Sequence, residues 1–498
     1  MFHVFNLFEL FRIRTSRSAA LGFDPASLFA QDEPGVWFDP SDFSTMFQDA
    51  AGTVPVTAVE QPVGLMLDKS KGLVLGPELV TNGTFDSNVN NWSLGDGNAS
   101  ITWVSGGLAS VKMRTNTGSG AYQDLTLASG WAKVSIRARK IGSLGNCFAQ
   151  AYGRGGFGTV LGSVTITNQT FTTYDFIIPA TNGGLRVYLK VEFSGAEMEV
   201  DSVSVRELPG NHARQNTATS RPVLSARVNQ YLATETLATQ NVTTLAAQYR
   251  LSFEGTGTVT LSGTATGVYS AGSHLITCTA GTLTSTVSGS VTKADLRVAN
   301  TGVNLPPYQR VNTATDYDTV GFPHYLRFDG VDDWLVTNTI TPGIDKVQAF
   351  AGVRKIGTAS GMVAELDTQY ATRNGKFALF SPTEEGPNYH GFFSEGSISS
   401  PAISDGYTPP ITNVLTGIGD ISGDRATLRV NGVQAAQNTA DQGTGNYLAY
   451  PLYIGRRGGT TFPFNGRLYS LIVRFGSNLP AATIEQTEKY INTKTRAY

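Results

Sequence analysis

Hydrophobic and polar residues alternate with a period of two along much of the chain. The segments WAKVSIRARK, GSVTITNQTF, LRVYLKVEF and MEVDSVSVRE place apolar side chains at every second position, as strands with one buried face do. Gly, Asp, Asn and Pro turn signals separate these short runs. The pattern predicts an all-β fold of nested, multi-domain antiparallel β-sandwiches. One C-terminal helix is predicted after Pro480, with Ile484, Tyr490 and Ile491 on its apolar side.

One strand pattern is interrupted. LMLDKSKG, residues 65–72, reads as a strand that runs into a polar turn, but a new apolar run begins at Leu73. A continuation, GNHARQNTATSRPVL, starts only at Gly210. A surface turn tolerates a guest domain whose ends are close together, because loop-closure entropy grows slowly with length. The sequence therefore predicts that a complete domain is inserted into this turn.

A second interruption divides the chain further. Residues 229–319 are rich in Thr, Ser and Gly and close with LPPYQRV, where two prolines prevent further strand pairing. The predicted domains are an N-terminal docking arm (1–35), a discontinuous host sandwich (36–72, 209–228 and 320–498), an inserted jelly roll (73–208) and an inserted small β-sandwich (229–319).

The composition of the chain argues against nucleic acid as a partner and against a disulfide. The chain has 498 residues, 15% of them charged, and a net charge of -2, so there is no electrostatic case for nucleic acid. Cys147 and Cys278 fall in different predicted domains, which favours two buried thiols over a disulfide.

In the N-terminal segment the apolar residues come first and the basic residues follow. Phe2, Phe5, Phe8 and Phe11 can share a helical face, and the arginines follow them, which is the reverse of a signal peptide. Export is therefore not indicated, and the run is too short to span a bilayer. Two interpretations stay open: an arm that docks on a partner chain, or an amphipathic helix packed on its own chain.

Spliced together, the two halves of the interrupted turn form a D-x-S-x-GNHA motif. Asp68, Ser70, Gly210, Asn211 and His212 make this motif, and YLRFDGVDDWLV follows it after a strand. The pair resembles concanavalin A-like/laminin-G-like domains of phage and bacterial surface proteins. ELVTNGTFDSNVNNWSL and VDSVSVRE look like the first and last strands of carbohydrate-binding-module jelly rolls. The whole arrangement is similar to virion structural proteins of tailed bacteriophages.

The jelly-roll resemblance implies a glycan site. Such modules stack a sugar on an aromatic ring and fix its hydroxyls with polar groups. The candidate rings are Trp103, Tyr122, Tyr152 and Tyr174. Trp92 and Trp131 are expected to fill the core between the sheets instead.

Two groups of carboxylates could hold a structural Ca²⁺, although no cofactor is required. The jelly-roll resemblance implies a pair, Asp86 with Asp201, that ties the first strand to the last. Asp329, Asp332 and Asp333 could bind calcium, but a tight turn around Gly330 explains them better. His212 is expected to be packed and hydrogen-bonded rather than a ligand.

Catalysis has little support. Glu365 and Asp367 alternate onto one strand face and superficially resemble a glycosidase pair, but the E-x-D-x-x-E run of laminarinase-like enzymes is not present. GRGGFG, residues 153–158, precedes a strand rather than a helix, so a hairpin turn is favoured over a phosphate loop. We expect no enzymatic activity.

These observations favour a non-enzymatic virion protein. We expect a tail fibre, spike or tail-tip component, made in the host cytoplasm, that presents sandwiches to host-surface glycans. A homo-oligomer, preferably a trimer, would give avidity. The expected partners include neither nucleic acid nor a membrane. The alternative is a purely structural capsid or tail decoration protein, and a polysaccharide depolymerase is a third class.

Overall fold

The protein is described by a computed structural model over residues 23–114, 118–127, 130–181, 183–367 and 374–498. Phe2, Phe5, Phe8 and Phe11 lie outside the described residues, so their docking role stays a prediction.

The described end of the predicted arm packs on its own chain. A short 3-10 helix, Pro25–Phe29, buries Leu28 and Phe29 in a cluster with Trp37 and Ile491. This part of the arm therefore belongs to the hydrophobic body of the same chain.

Strands dominate the described chain, and their bounds in chain order are as follows. Before the first insertion come β1 (Gly35–Phe38), β2 (Met46–Phe47) and β3 (Leu65–Met66). Then follow β4 (Ser93–Leu94), β5 (Ala99–Val104), β6 (Leu108–Met113), β7 (Ser119–Thr126), β8 (Trp131–Ile141), β9 (Asn146–Gly153), β10 (Val160–Thr165), β11 (Thr172–Pro179), β12 (Gly184–Glu192) and β13 (Glu197–Glu207). Next are β14 (Ala213–Arg214), β15 (Val223–Ser225), β16 (Gln240–Thr244), β17 (Ala247–Gly263), β18 (Gly267–Cys278), β19 (Gly281–Ser288) and β20 (Val291–Val298).

The rest of the chain continues in the same way. It contains β21 (Tyr325–Asp329), β22 (Leu335–Ile340), β23 (Lys346–Lys355), β24 (Met362–Leu366), β25 (Lys376–Phe380), β26 (His390–Glu395), β27 (Ser399–Ser404), β28 (Ile411–Asp420), β29 (Arg425–Val430), β30 (Val433–Asn438), β31 (Tyr450–Ile454), β32 (Asn465–Phe475) and the helix α1 (Ala481–Thr495). Two further 3-10 turns are Phe43–Thr45 and Ala218–Ser220. The predicted all-β class and the C-terminal helix are confirmed.

Two large antiparallel sheets form what we call the central sandwich. One sheet has the order β15-β21-β32-β23-β28-β29-β30, with β1 also paired to β32. The other has the order β2-β3-β14-β22-β31-β24-β25-β26-β27. Their facing sides enclose one apolar core, which includes Val36, Phe328, Leu379, Leu415 and Leu471. The helix α1 packs outside the first sheet, where Ile491 is buried with Phe350, Val414 and Ile472.

Strands β4 to β13 form a separate pair of sheets, which we call the jelly-roll unit. The sheet orders are β10-β9-β12-β7-β4 and β11-β8-β13-β6-β5. Alternate residues such as Val134, Ile136, Val187 and Leu189 fill the space between them, as the period-two pattern requires. The unit has ten strands.

Trp131 does not fill the core between the jelly-roll sheets, so that prediction was wrong. Ala132, Val134 and Ile136 on β8 point into the jelly-roll core, so the preceding Trp131 points away from it. It is buried instead among Leu65 and Leu67 of the central sandwich and Ile177 and Leu208 of the jelly-roll unit. Trp92 does lie in the jelly-roll core, as expected.

The second inserted unit differs from the predicted small sandwich. Its five strands belong to one hydrogen-bonded sheet, β16-β19-β17-β18, with β20 also on β17. The long strand β17 breaks register between Phe253 and Thr258, and its two halves pair with β20 and β19 respectively. A bent sheet of this kind can enclose a core by itself, and this one surrounds Tyr249, Leu251 and Leu283.

The interrupted turn closes around the carboxylate of Asp68. This side chain is fully buried and accepts hydrogen bonds from the backbone N–H groups of Trp37 (2.8 Å), Ser70 (2.8 Å) and Asn211 (2.7 Å). The Asp68 N–H in turn donates to Nδ1 of His212 at 2.9 Å. Strand β14 also pairs with β3, Ala213 opposite Met66. The segments on either side of the jelly-roll unit are therefore neighbours in space, while the exact domain boundaries stay a prediction.

We predict that Asp68→Ala strongly destabilises the central sandwich. The substitution leaves three buried N–H groups without an acceptor, at a cost of about 1–3 kcal/mol each. The expected loss of unfolding free energy is therefore roughly 3 kcal/mol or more, measured by urea or thermal unfolding. Asp86→Ala removes an exposed carboxylate and serves as the control. Equal stability of the two variants would contradict the proposed role of Asp68.

Candidate functional site

Aromatic and polar side chains gather on the outer side of the jelly-roll sheet β10-β9-β12-β7-β4. Residues of β7, β9 and β12 that alternate with the core positions meet there, with Tyr188 opposite both Tyr122 and Gln150, and Arg186 opposite Tyr152. We call this surface the aromatic face; it comprises Tyr122, Asp124, Gln150, Tyr152, Phe157, Arg186 and Tyr188. Antiparallel register alone brings these residues of distant sequence together.

Phe157 lies over the tyrosines of the aromatic face. Its ring centroid is 4.9 Å from that of Tyr188 and 5.6 Å from those of both Tyr122 and Tyr152. Tyr152 and Tyr188 are 6% and 5% exposed, whereas Phe157 is 46% exposed. The two buried tyrosines therefore support a ring that presents its own surface to solvent.

An ion pair is built into this ring cluster. Arg186 donates from Nε and Nη2 to the two carboxylate oxygens of Asp124, at 2.9 and 2.8 Å. The hydrogen bonds from Arg186 lower the pKa of Asp124. The Arg186 Cζ also lies 3.9 Å from the Tyr122 ring centroid and 4.4 Å from that of Phe157. Asp124 holds one edge of the guanidinium by hydrogen bonds, and the rings of Tyr122 and Phe157 contact it as well. Its orientation is therefore fixed before any ligand binds.

A second polar group completes the face. The Tyr152 hydroxyl donates to Oε1 of Gln150 at 2.7 Å, and the Gln150 amide donates to Ser163 at 3.3 Å. Burial raises the pKa of the Tyr188 hydroxyl to about 12, so it stays protonated at neutral pH. The face thus combines fixed donors and acceptors with ring surfaces, the pairing that sugar recognition uses.

The predicted candidate rings separate into two groups. Tyr122 and Tyr152 both lie on the aromatic face. Trp103 is on β5 of the other sheet, 43% exposed, with Nε1 donating to the Phe85 carbonyl at 2.9 Å. Tyr174 is on β11 and packs partly against the jelly-roll core. The sequence prediction therefore placed two of the four rings together and missed Phe157, Tyr188 and Arg186.

The residues GRGGFG form the loop that carries Phe157. The loop joins the antiparallel strands β9 and β10, so its position is that of a hairpin connection. Gly155 has a φ of +80° and donates its N–H to Asp124 at 3.2 Å. A residue with a side chain would rarely adopt this backbone conformation. The signal for Phe157 was therefore available in the sequence: an aromatic residue among glycines between two strands.

The carboxylates Asp329, Asp332 and Asp333 meet in one turn. Their oxygens lie within 4.8 Å of one another. Asp329 accepts the Val331 N–H at 2.7 Å, and Gly330 has a φ of +77°. The predicted tight turn is therefore present. The three carboxylates also suit a hard cation in their chemistry, and calcium binding here stays a prediction.

The other predicted residues lie in different surroundings. Asp201 forms an ion pair with Arg137 at 2.8 Å, while Asp86 is exposed. His212 is fully buried, and burial lowers its pKa to about 3. It is a packed, hydrogen-bonded residue, as expected from the sequence. Cys147 and Cys278 are both buried free thiols.

Glu365 and Asp367 lie together on the outer side of the nine-stranded sheet, each fully buried. Each carboxylate has a basic partner: Arg457 Nε is 2.9 Å from Glu365, and Lys376 Nζ is 3.0 Å from Asp367. Burial raises the pKa of Glu365 to about 7, opposed by the charge of Arg457. Paired charges of this kind are common in structural networks, and the expectation of no enzymatic activity stays a prediction.

We predict a pH-dependent effect of Glu365→Gln. The folded protein keeps the Glu365 proton up to about pH 7, whereas the unfolded chain releases it near pH 4.3. Stability is therefore lost as the pH rises through this window, by up to about 4 kcal/mol. The glutamine variant lacks this loss, so its melting temperature relative to wild type should rise between about pH 5 and about pH 8.

Glu385→Gln is the matched control for this experiment, since Glu385 is exposed. A difference in melting temperature that stays constant across the pH range would show that Glu365 is ionised throughout.

Comparisons with known proteins give structural likeness only. No family model matches the chain, and no curated protein matches it. A sialidase carbohydrate-binding module from Ruminococcus gnavus, bound to α2,3-sialyllactose, is 14% identical over 29% of this chain and 84% of its own, with a TM-score of 0.25. A xylan-binding module from Paenibacillus barcinonensis is 15% identical over 27% of this chain and 97% of its own, with a TM-score of 0.23. Likeness at this level does not assign a ligand to the chain.

Proposed function

We propose that this chain is a carbohydrate-binding protein and that the aromatic face is its glycan site. The observation that carries the proposal is the fixed Arg186–Asp124 pair beneath the exposed Phe157 ring. Both groups are oriented by protein contacts, so little conformational entropy is lost when a ligand binds.

Each part of the face has a use in sugar recognition. The exposed surface of Phe157, with Tyr122 beside it, offers a stacking platform for the apolar face of a pyranose. Asp124 accepts hydrogen bonds, while Arg186 donates them. A sugar hydroxyl can both donate and accept, so it matches this mixed set. The face carries a balanced ion pair, which favours a neutral saccharide there.

The finer proposal concerns the role of the protein. We propose a bacteriophage tail fibre, spike or tail-tip component that presents this face to host-surface glycans. This role is supported by the resemblance of the Asp68 turn and the FDGVDDW segment to domains of virion proteins, and by the open position of the aromatic face.

We predict that Phe157→Ala and Tyr122→Ala each weaken saccharide binding about ten-fold, which corresponds to ~1.4 kcal/mol. The full chain would first be screened on an array of bacterial surface polysaccharides and xylans, and affinities then measured by calorimetry. Trp103→Ala removes an exposed ring from the opposite sheet and should leave binding unchanged. No saccharide binding at millimolar concentration would contradict the glycan proposal and favour a structural decoration protein, whereas equal binding by all the variants would contradict the aromatic face as the site.

We also predict that the purified chain is a trimer in analytical ultracentrifugation and that the segment carrying Phe2, Phe5, Phe8 and Phe11 contacts the particle. Antibodies against this segment should bind the free protein but not the intact particle in electron microscopy. A monomer whose N-terminus is accessible on the particle would contradict this mode of attachment.

A further inference from the structure

Three arginines form a row across the outer side of the eight-stranded sheet. Arg467 on β32 is directly opposite Arg327 on β21 and also directly opposite Arg354 on β23. Residues opposite each other on neighbouring strands project to the same side of a sheet. Like charges in such positions are destabilising, so this arrangement needs a compensating interaction.

Carboxylates compensate only a small part of this charge. Arg327 is 3.2 Å from Glu60. Arg354 is buried and donates to the Asn300 carbonyl and the Thr412 hydroxyl. Within the described ranges, neither Arg354 nor Arg467 forms an ion pair. Burial lowers the pKa of Arg354 to about 10, and the charge of Arg467 adds to this shift.

Arg467 sits at the centre of the row with incomplete hydrogen bonding. Its Nε and Nη1 atoms are buried without a hydrogen-bond partner. Its Cζ lies 4.4 Å from the centroid of the Tyr325 ring, which holds the plane of the guanidinium. A guanidinium supported by stacking, with free donors at its edge, is suited to binding a planar or tetrahedral oxyanion.

The row opens into a cleft between the central sandwich and the second inserted unit. Arg467, Arg327 and Tyr325 line one side of the cleft, and Gln240, Asn241 and Thr243 of β16 line the other. Arg227 joins them from the connecting segment. The cleft therefore has basic groups on one side and neutral hydrogen-bonding groups on the other.

We propose that this cleft binds an oxyanion, carried by an acidic saccharide such as a uronate. The anionic group pairs with Arg467 and Arg327, and the exposed Asn241 side chain of β16 contacts the sugar hydroxyls. The oxyanion assignment is independent of the aromatic face; only the choice of a sugar as the carrier rests on the proposed function.

Titrations of the full chain test the proposal. Sodium glucuronate, glucose and inorganic phosphate are compared at constant ionic strength with sodium chloride as the balance, using calorimetry and thermal unfolding. We expect glucuronate and phosphate to bind and to raise the melting temperature, while glucose has no effect at this cleft. Phosphate binding without glucuronate binding would overturn the acidic-saccharide assignment. Absence of both would overturn the oxyanion site.

Substitutions locate the binding. Arg467→Gln should weaken glucuronate binding at least ten-fold, and its melting temperature without the anion should equal or exceed that of wild type, because a like-charge contact is removed. Arg327→Gln, at a more exposed position, should weaken binding about three-fold, and it tests the cleft even where the Arg467 variant fails to fold. Arg310→Gln removes a partly exposed arginine outside the cleft and is the control. Unchanged binding in the Arg467 and Arg327 variants would overturn the proposal.

Comparing Arg467→Gln with Phe157→Ala separates the two sites. The first change should weaken only the response to glucuronate, and the second only the response to the neutral saccharide found on the array. A loss of both responses from either single variant would show that there is one site.

Discussion

The buried carboxylate of Asp68 is the constraint on which the rest of the architecture depends. It accepts backbone N–H groups from three segments, near Trp37, Ser70 and Asn211. Asn211 is 143 positions from Asp68 in the sequence. Asn211 also donates its side-chain amide to the Gly35 carbonyl at 2.8 Å. Because buried donors must be satisfied, these segments can meet in only one arrangement, and both ends of the jelly-roll unit are held beside it.

The same junction determines which side of the jelly-roll unit faces solvent. Trp131 and Ile177, on the sheet that contains β8 and β11, are buried against Leu65 and Leu67 of the central sandwich. The Ile177 N–H also donates to the Ala51 carbonyl at 2.7 Å. The outer sides of the two sheets of a sandwich face opposite directions. Because the jelly-roll unit docks through the outer side of one sheet, the outer side of the other sheet stays exposed to solvent. The aromatic face lies on that open sheet, so the apolar junction indirectly positions the candidate glycan site.

Sequence periodicity predicted the elements well, because it reports which side of each strand is buried. WAKVSIRARK became β8 and MEVDSVSVRE became most of β13. Periodicity does not show what covers the outer side of a sheet. For this reason the sequence pattern placed Trp131 in the jelly-roll core, whereas it is buried between the two units. Trp131 and Tyr122 both lie on the outer sides of their sheets, yet one contacts another unit and the other faces solvent. That difference is set by the docking of whole units, which no local pattern contains.

The same limit explains why the sequence did not reveal the arginine row. Arg327, Arg354 and Arg467 are widely separated in the chain, and only the register of β21, β32 and β23 aligns them. Their exposure depends in turn on where the second inserted unit sits.

That unit is held by a buried polar network together with an apolar cluster of Ala226, Val228, Val311, Tyr317 and Phe322. Gln309 accepts the Val228 and Asn229 N–H groups at 2.8 and 3.0 Å, and Asn229 donates to the Ala294 carbonyl at 2.8 Å. Buried amides allow far fewer orientations than apolar contacts do, because each misaligned donor or acceptor costs free energy. The angle of the second unit is therefore tightly specified, and so is the separation between β16 and the arginines across the cleft. Because the width of the cleft is fixed, only a ligand of matching size can contact both of its sides. The cleft can therefore select ligands by size better than a surface loop can.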